Sequence, residues 1–451
     1  MRLRKTITTI VATAILLAGW QLFAVIANQP ELIPSLPRLV RTLCEWLVSG
    51  SFYQSVGATI LRGVLGMSIS FVCAIGMAGL FARFEWVYEL FRPLLAIMRS
   101  IPVISFILLA LIFLNPESIP LMIAFLTMFP LLTENLTRGI LDLRPGLSIM
   151  ARQFHIKRSN VLFQIIYPQL KPFLYSGLAS AAGFGWRAII MGEVLSQCAF
   201  GIGSEMKRAQ NFISVPELLA WTIVAVFISF FFDKGISKVA DITPKISFAN
   251  DQTIPTPTLS VLDTKDISYQ YGIQHFSHSF QKGIIYGISA PSGKGKTTLL
   301  NLIGGILLPT EGEIHPTRHF GIATIFQQPQ LLPHLTAEEN IILPLSSFLT
   351  EEKARRIAQK HLQEMEMEPF GNRYPKELSY GQQQRIAIAR ALAYPSPLLL
   401  MDEPFKGLDE ALSHRIIERI REKQMKEERI ILFTSHNPDE IRLLADEVIY
   451  L

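Results

Sequence analysis

The sequence has few charged residues and few cysteines for its length. Only 18% of its 451 residues are charged, against roughly 25% in ordinary soluble domains, which argues against a single soluble globule. The three cysteines, Cys44, Cys73 and Cys198, are odd in number and far apart. Neither a disulfide framework nor a cysteine-based metal site is therefore indicated. What the chain does have is a hydrophobic content of 49%.

The charge balance changes near residue 245. Residues 1–245 carry 21 Lys+Arg and 12 Asp+Glu, a net charge of +9, whereas residues 246–451 carry 21 and 25, a net charge of −4. The first part is thus apolar and basic, and the second is an ordinary, slightly acidic domain. Because the basic residues lie between apolar runs rather than in a soluble stripe, nucleic acid is not an expected partner.

Six apolar stretches of the first part are long enough to cross a membrane as helices, which takes roughly 20 residues each. They lie at about residues 6–27, 57–81, 94–114, 118–137, 173–196 and 215–233. If the first span starts inside, 12 basic residues fall in inner segments and four in outer loops. The positive-inside rule then predicts a multi-pass protein of the cell (inner) membrane, in contact with lipid, with both termini in the cytoplasm.

Two parts of this region are candidates for function. The longest inner loop, from Leu147 to Pro168, has the spacing of short amphipathic helices, which would either touch a cytoplasmic domain or only anchor the loop at the membrane face. In the fifth span, Arg187 and Glu193, close to Trp186, stand out because ionisable groups at membrane depth are costly. They are too far apart round the helix to pair, so Glu193 is either functional or a structural tie to another span.

The second part contains a phosphate-binding loop between a strand-like and a helix-like run. Residues 287–300 read Gly-Ile-Ser-Ala-Pro-Ser-Gly-Lys-Gly-Lys-Thr-Thr-Leu-Leu. The glycines let backbone N–H groups surround phosphates, Lys296 reaches the β and γ phosphates, and Thr297 ligates Mg²⁺. Ala290 replaces the first glycine of the usual pattern, and a left-handed backbone there would be strained. The loop residues expected to bind ATP are Ser292, Gly293, Lys294, Gly295, Lys296, Thr297 and Thr298.

Further motifs follow this loop in order. They are Phe326-Gln327-Gln328, then Leu-Ser-Tyr-Gly-Gln-Gln-Gln-Arg at 378–385, then a strand ending in Asp402-Glu403-Pro404, then Gly407-Leu408-Asp409, and last a strand ending at Thr434-Ser435-His436. This ordered set, which covers nearly all of residues 260–451, resembles the ABC transporter ATPases. Their signature motif is usually Leu-Ser-Gly-Gly-Gln, and Tyr380 stands here for the first of its glycines.

The resemblance implies a role for each matching residue. Thr297, Gln327 and Asp402 would hold Mg²⁺, and Glu403 would be the general base that polarises the attacking water. Gln327 would also sense the γ-phosphate, His436 would contact that phosphate, and Tyr271 would stack on adenine. Three signature residues would close on the ATP of the opposite subunit, so that activity requires a dimer; they are Ser379, Gly381 and Gln382.

The membrane part is similar, less closely, to the permeases of binding-protein-dependent importers, especially the nitrate/sulfonate/taurine branch with its relatives for thiamine precursors. The similarity lies in the six spans, the run from Trp186 to Gly203, and the inner loop. Those permeases have Glu-Ala-Ala-x-x-x-Gly in the loop, where this chain has Ile149 and His155 at the Glu and Gly positions. The spacing to Pro168 is kept, so we expect the docking geometry to survive with altered contacts.

Together these features predict a fused half-transporter. Residues 1–247 would be a six-span α-helical permease domain of the type I importer kind, 248–259 a linker stiffened by Pro255 and Pro257, and 260–451 an α/β P-loop ABC ATPase. The expected function is ATP-driven import of a small solute, either a nitrate-, sulfonate- or taurine-like anion or a thiamine precursor. The expected partners are a second copy and an extracytoplasmic solute-binding protein. An ABC exporter and a membrane-anchored regulatory ATPase remain as alternatives.

Overall fold

The computed structural model describes residues 2–240, 244–249, 259–270, 272–291, 293–316 and 321–451. Its contacts divide the chain into two units, residues 1–143 with 169–243 and residues 144–168 with 244–451. The segment 144–168, which lies between membrane helices in sequence, thus belongs to the C-terminal unit. We call it the docking segment. Most of the predicted linker, residues 250–258, lies outside the described residues.

Helices make up nearly all of residues 2–240. In chain order they are α1 (Arg2–Ala27), α2 (Leu36–Trp46), α3 (Gly50–Arg83), α4 (Glu85–Ser100), α5 (Val103–Phe113), α6 (Ile119–Leu141), α7 (Pro145–Gln153), α8 (Arg158–Asn160), α9 (Tyr167–Ser196), α10 (Ile202–Asn211) and α11 (Val215–Ala240). A 3₁₀ turn at Pro116–Ser118 precedes α6, and a π-helical turn at Val161–Ile166 joins α8 to α9.

Four of the six predicted spans, 57–81, 118–137, 173–196 and 215–233, lie in helices long and apolar enough to cross a membrane. The stretch 94–114 is not one continuous span, because α4 and α5 meet at an angle of 94°. Pro102 has no N–H to continue α4, and it forces the preceding residue into an extended conformation; Ile101 has ψ 129°. The apolar part of α1, Val11–Ala27, is shorter than a full span. Over the described residues the count is four spans, or five with the bent pair, and not six.

Small residues let the membrane helices approach closely. The buried face of α3 is a stripe of mostly small side chains, including Thr59, Gly63, Gly66 and Ala74. A Cβ at Gly66 would lie 2.6 Å from the Cβ of Ala124 on α6. This contact resembles the small-residue interfaces of membrane helices, where backbone proximity replaces the hydrophobic effect as the source of packing energy.

The C-terminal unit alternates strands and helices after residue 260. Its strands are β1 (Val261–Tyr269), β2 (Ile273–Gln281), β3 (Ile285–Ser289), β4 (Glu311–His315), β5 (Ala323–Ile325), β6 (Leu398–Asp402), β7 (Ile430–Thr434) and β8 (Glu447–Tyr450). Its helices are α12 (Lys296–Ile303), α13 (Ala337–Leu345), α14 (Glu351–Glu364), α15 (Tyr380–Ala393), α16 (Glu410–Glu427) and α17 (Pro438–Leu444).

These strands form two sheets. β2, β1 and β4 make an antiparallel sheet, and the other five make a parallel sheet in the order β5-β6-β7-β3-β8. Strands β6 and β7 are buried at every position, as is usual for parallel strands covered on both faces. Because β6, β7 and β3 are neighbours, their carboxyl ends meet at one edge, which is where ligands bind in open α/β sheets.

Candidate functional site

The phosphate loop joins β3 to α12 with two residues in the left-handed region. Gly293 and Gly295 have φ values of 82° and 87°, which only glycine adopts without cost. A Cβ at Gly295 would also lie 2.6 Å from the carbonyl oxygen of Gly272. Ala290 does not have a positive φ, so the expectation of strain there is wrong. The loop turns at Gly293 and Gly295 instead, and an alanine fits at position 290.

Lys296 begins α12 and is buried, with 7% of its surface exposed. Its Nζ donates to the carbonyl oxygen of Ala290 at 2.7 Å, which holds the ammonium over the loop. Thr298 is half-buried beside it, whereas Lys294 is exposed. The predicted ATP contacts Ser292 and Tyr271 lie outside the described residues. A buried cation above a ring of backbone N–H groups is the arrangement that binds phosphates.

Oxygen ligands for a hard cation come together at the carboxyl ends of β6 and β7 and at the start of α12. The Thr297 hydroxyl donates to Asp402 Oδ2 at 2.9 Å, and the Thr434 hydroxyl donates to Asp402 Oδ1 at 2.8 Å. Burial raises the pKa of Asp402, although both hydroxyls oppose the shift. In the described part of the chain no cluster of three or more His, Cys, Asp or Glu residues could cage a metal. One carboxylate and one hydroxyl fit Mg²⁺, which takes few protein ligands and completes its shell with phosphates and water.

Glu403 lies at the centre of a polar cluster next to Asp402. Its Oε1 is 3.0 Å from His436 Nε2, its Oε2 is 3.4 Å from Lys406 Nζ, and it is hydrogen-bonded to the Gln327 side chain. Burial favours a raised pKa, but the bond from Gln327 and the charges of Lys406 and His436 lower the pKa of Glu403 overall. Glu403 also has φ 47°, an uncommon backbone conformation that is concentrated at functional sites. Glu403 thus interacts with both of the other residues predicted as catalytic, His436 and Gln327.

The signature residues cap the start of α15. The Ser379 hydroxyl accepts from the Gln382 N–H, and the Gln382 side chain accepts from the Ser379 N–H at 2.9 Å, a reciprocal capping box. Gly381 is needed because a Cβ there would lie 2.6 Å from the carbonyl oxygen of Gly407. Among the described residues, no hydrogen bond joins these three residues to the phosphate loop of the same chain.

Tyr380 connects the signature motif to Gln327. Its hydroxyl donates to the Gln327 carbonyl oxygen at 2.6 Å, while its ring lies against Gly407, where a Cβ would be 2.8 Å away. The tyrosine that replaces the usual glycine therefore holds two other motifs in place within its own chain.

The docking segment is built into the core of the C-terminal unit. Its apolar side chains are buried there, which fits the predicted amphipathic helices; they are Leu147, Met150, Ala151, Phe154, Ile156 and Ile165. Gln153 is hydrogen-bonded through both its side chain and its backbone. Its Nε2 donates to the Gly304 carbonyl oxygen at 2.7 Å, and its carbonyl oxygen accepts from the Ile322 N–H. Asn160 Nδ2 donates to Ser346 Oγ at 2.8 Å. The apolar face of the docking segment thus packs on the ATPase domain. This is the first of the two predicted alternatives, in which the segment touches a cytoplasmic domain.

His155 occupies the position where the permease motif has glycine. Its φ is 45°, a left-handed backbone conformation that glycine adopts without cost. His155 therefore carries the backbone strain of a residue with a Cβ at a left-handed position. That the docking geometry survives the substitution stays a prediction.

Arg390 and Arg62 are the main residues that the sequence patterns missed. Arg390 on α15 is fully buried and donates to the carbonyl oxygens of Pro329 and Gln330.

In the membrane unit, Arg62 bonds to the buried Glu193 at 2.7 Å and to Glu117 at 2.6 Å. Glu193 also accepts from Thr59 and from the Gly203 N–H, so it is a structural tie. The sequence did offer one signal for this ion pair, because an arginine within the apolar stretch 57–81 needs a polar partner at membrane depth.

Comparison with known proteins agrees with this geometry. The family model described as ABC transporter matches residues 273–406, and that described as binding-protein-dependent transport system inner membrane component matches residues 68–233. The thiamine import ATP-binding protein ThiQ of Yersinia pseudotuberculosis is 34% identical over 205 residues, 42% of this chain and 86% of that protein. The Fe(3+) ions import ATP-binding protein FbpC of Rhizobium etli is 35% identical over 189 residues, 40% of this chain and 54% of that protein.

An uncharacterized ABC transporter ATP-binding protein of Methanocaldococcus jannaschii is 34% identical over 201 residues, 40% of this chain and 85% of that protein. Its dimeric post-hydrolysis structure with ADP and phosphate is 32% identical, with a TM-score of 0.40, and covers 42% of this chain and 94% of that one. The chain spans about half the length of the import ATP-binding proteins of Rhizobium etli and Saccharolobus solfataricus, 54% and 52%.

The fold and the site define a membrane protein with an attached P-loop nucleotide-binding domain. More particularly, the chain belongs to the ABC transporter family, with a permease-type membrane domain and an ABC ATPase domain in one polypeptide.

Proposed function

We propose that this protein is half of an ATP-driven importer, in which two copies couple ATP hydrolysis to the uptake of a small solute. The observation that carries the proposal is the docking segment. It lies between membrane helices in sequence, yet its side chains form part of the ATPase core beside the loop that follows Gln327. A movement of that loop on ATP binding would therefore reach a segment that continues directly into α9.

The catalytic roles follow from the contacts of the site. Lys296 and the loop N–H groups would bind the phosphates of ATP, and Asp402 and Thr297 would hold Mg²⁺, with Gln327 joining them when ATP is bound. Bound Mg²⁺ would neutralise charge that develops on the phosphates. Glu403, whose lowered pKa keeps it ionised at neutral pH, would accept a proton from the attacking water. His436, 3.0 Å from Glu403, would orient that carboxylate and contact the γ-phosphate.

A second copy would complete each ATP site. Ser379, Gly381 and Gln382 form a helix N-terminus, which suits an anion, but their contacts within the chain lie away from the phosphate loop. We infer that they close on the ATP of the partner copy, so that two sites form at one interface. Fusion of the two domains fixes their ratio and raises the local concentration of each at the other.

The remaining parts of the proposal concern location and partners. The apolar helices and the basic inner segments support a multi-pass protein of the cell membrane with the ATPase domain and both termini in the cytoplasm. An extracytoplasmic solute-binding protein would deliver the solute. The solute would be a nitrate-, sulfonate- or taurine-like anion or a thiamine precursor.

Co-purification tests whether the protein has a solute-binding partner, and the ligand that this partner carries identifies the solute. The full chain, crosslinked in the membranes of its source cells, should retain a secreted binding protein, whose solute is then read by mass spectrometry of the released ligand. Proteoliposomes with enclosed ATP should accumulate that solute when the binding protein is outside. Efflux of a preloaded solute would favour an exporter. ATP hydrolysis without movement of the identified solute in either direction would contradict a transport function and favour a regulatory ATPase.

A further inference from the structure

The exposed face of α9 carries an arginine, Arg187, that has no hydrogen-bonding or ionic partner among the described residues. Phe184, Arg187 and Met191 follow one another at helical spacing and are exposed in the membrane unit. In the part of the chain that the structure describes, no side chain or carbonyl is hydrogen-bonded to the Arg187 guanidinium. Arg187 thus differs from Arg62, which is paired with Glu193 and Glu117, and from Arg99, which is paired with Glu134.

The packing of α9 shows how deep Arg187 lies. Two residues before it, Gly185 packs so closely against Met128 that a Cβ on residue 185 would overlap Met128 Cε. Met128 is near the middle of α6, which runs from Ile119 to Leu141. Arg187 is therefore near the middle of the span, too deep for its charge to reach a lipid headgroup region easily. A lipid-facing guanidinium at this depth is costly, and such residues face a wet cavity or protein.

A groove begins one helical turn from Arg187. It has a volume of about 220 Å³ and is formed by the bend between α4 and α5, by α6 and by Phe184. Phe106, Ile123 and Phe184 make its wall mostly apolar, and Thr127 adds a hydroxyl. Phe184 and Arg187 are three residues apart and so lie on the same face of α9. Arg99 also lines the groove, but it is paired with Glu134. A mostly apolar groove with an unpaired cation beside it matches a small organic anion, whose carbon part needs an apolar wall and whose charge needs a counter-charge.

We propose that Arg187 lines the solute pathway and selects for anions, and that the apolar groove beside it holds the rest of a small carboxylate or sulfonate. This inference rests on the proposed importer and narrows its solutes to the anionic class. On this proposal Arg187 faces the water-filled pathway of the proposed dimer rather than lipid, as ionisable groups at membrane depth usually do.

Thiol labelling of the full-length protein in proteoliposomes tests the inference without a known solute. Phe184→Cys is introduced into a background in which the three native cysteines are replaced by serine. The reaction rates of an anionic and a cationic methanethiosulfonate of similar size are then compared. We expect both reagents to react and the anionic one to react faster. Arg187→Gln should lower the ratio of the two rates roughly fivefold, as the Coulomb energy of one charge at side-chain distance predicts, and Arg187→Lys should preserve the ratio.

Controls separate this inference from the proposed function. Ser118→Cys, in the exposed 3₁₀ turn before α6, should react with both reagents. Arg83→Gln, at the far end of α3, should leave the Phe184→Cys ratio unchanged. ATP hydrolysis by each variant reports folding. No reaction at Phe184→Cys, or a ratio that Arg187→Gln does not change, overturns the inference even if the protein transports a solute. If the predicted ratio is measured but no solute is ever transported, the anion-selective site is supported and the proposed importer function is contradicted.

Discussion

The guanidinium carbon of Arg390 lies 5.4 Å from the centroid of the Phe154 ring. Arg390 belongs to the helix that begins at the signature motif, and Phe154 belongs to the docking segment. No carboxylate in the described residues pairs with Arg390; its charge is met by the ring and by the carbonyls of Pro329 and Gln330. Burial lowers the pKa of Arg390 to about 9. One side chain therefore joins the docking segment, the loop after Gln327 and the signature helix.

Replacing the ring tests this connection. Phe154→Leu keeps the site apolar but removes the cation–π contact, which is worth about 1 kcal/mol or more when desolvated. We expect the Tm of the ATPase domain to fall by about 2–4 °C, and uptake to fall more than ATP hydrolysis. Phe348→Leu is the matched control, because Phe348 packs on the same Tyr394 as Phe154 does and is not in contact with Arg390 through its ring. Equal loss of uptake in both variants would refute a special role for the Arg390 contact.

The pH dependence of ATP hydrolysis should respond to Lys406. The charge of Lys406 helps to lower the pKa of Glu403, and a base works only while it is ionised. In Lys406→Met the pKa of Glu403 rises, so the acid limb of the kcat profile should move to higher pH. Lys426→Met, at an exposed position on α16, should leave the profile unchanged. An acid limb that stays in place in Lys406→Met would show that Glu403 is not the titrating base.

The general base itself has a larger expected effect. Glu403→Gln keeps the shape of the side chain and removes its basicity, so hydrolysis should fall by about 10²–10⁴-fold. Binding of ATP should persist, because Lys296 and the loop glycines are untouched. Turnover and equilibrium binding of a fluorescent ATP analogue separate the two effects. A variant that loses binding as well as turnover would place Glu403 in nucleotide binding instead.

Tyr380→Phe isolates the bond between the signature motif and Gln327. The variant keeps the ring against Gly407 and loses only the hydroxyl that donates to the Gln327 carbonyl. A hydrogen bond of this kind contributes about 0.5–1.5 kcal/mol, so thermal unfolding should begin a few degrees lower, with a weaker apparent affinity for ATP. Tyr450→Phe, whose side chain is exposed, should behave as the unchanged protein, and an identical unfolding curve for Tyr380→Phe would contradict the role of the bond.

Because His155 has a left-handed backbone, two substitutions at this position should change the stability of the protein in opposite directions. His155→Gly should stabilise the protein by up to about 1 kcal/mol, since glycine has no Cβ to strain at φ 45°. His155→Val should destabilise it by about 1–2 kcal/mol, because a β-branched side chain is especially unfavourable there. The two changes in Tm, measured on the full chain, should therefore differ in direction. Stabilisation by valine would show that the residue does not hold this conformation.

The clustering of the candidate ATP-site residues was largely predictable from sequence, because several of them lie at or just after the ends of strands. Asp402 and His436 come after apolar strand-like runs, and parallel strands bring their carboxyl ends to one edge. The spacing of Leu147 to Pro168 likewise predicted short helices with an apolar face, since that face depends only on local periodicity.

Long-range pairs could not be read in the same way. Arg62 and Glu193 are 131 residues apart, and nothing local to either of them indicates the other. The break at Pro102 was missed because hydropathy counts apolar residues and does not register a lost N–H. Tyr380 was identified as a replaced glycine, but its bond to Gln327 depends on how the signature helix packs, which no periodicity reports.

The amount of solute accumulated per ATP hydrolysed tests the central claim most directly. It should be measured in proteoliposomes with enclosed ATP and with the co-purified binding protein outside, for the natural chain, Glu403→Gln and Phe154→Leu. The account predicts accumulation that depends on hydrolysis, none with Glu403→Gln, and a lowered ratio of solute to ATP with Phe154→Leu. Accumulation that continues in Glu403→Gln, or a ratio unchanged in Phe154→Leu, would contradict coupling through the docking segment.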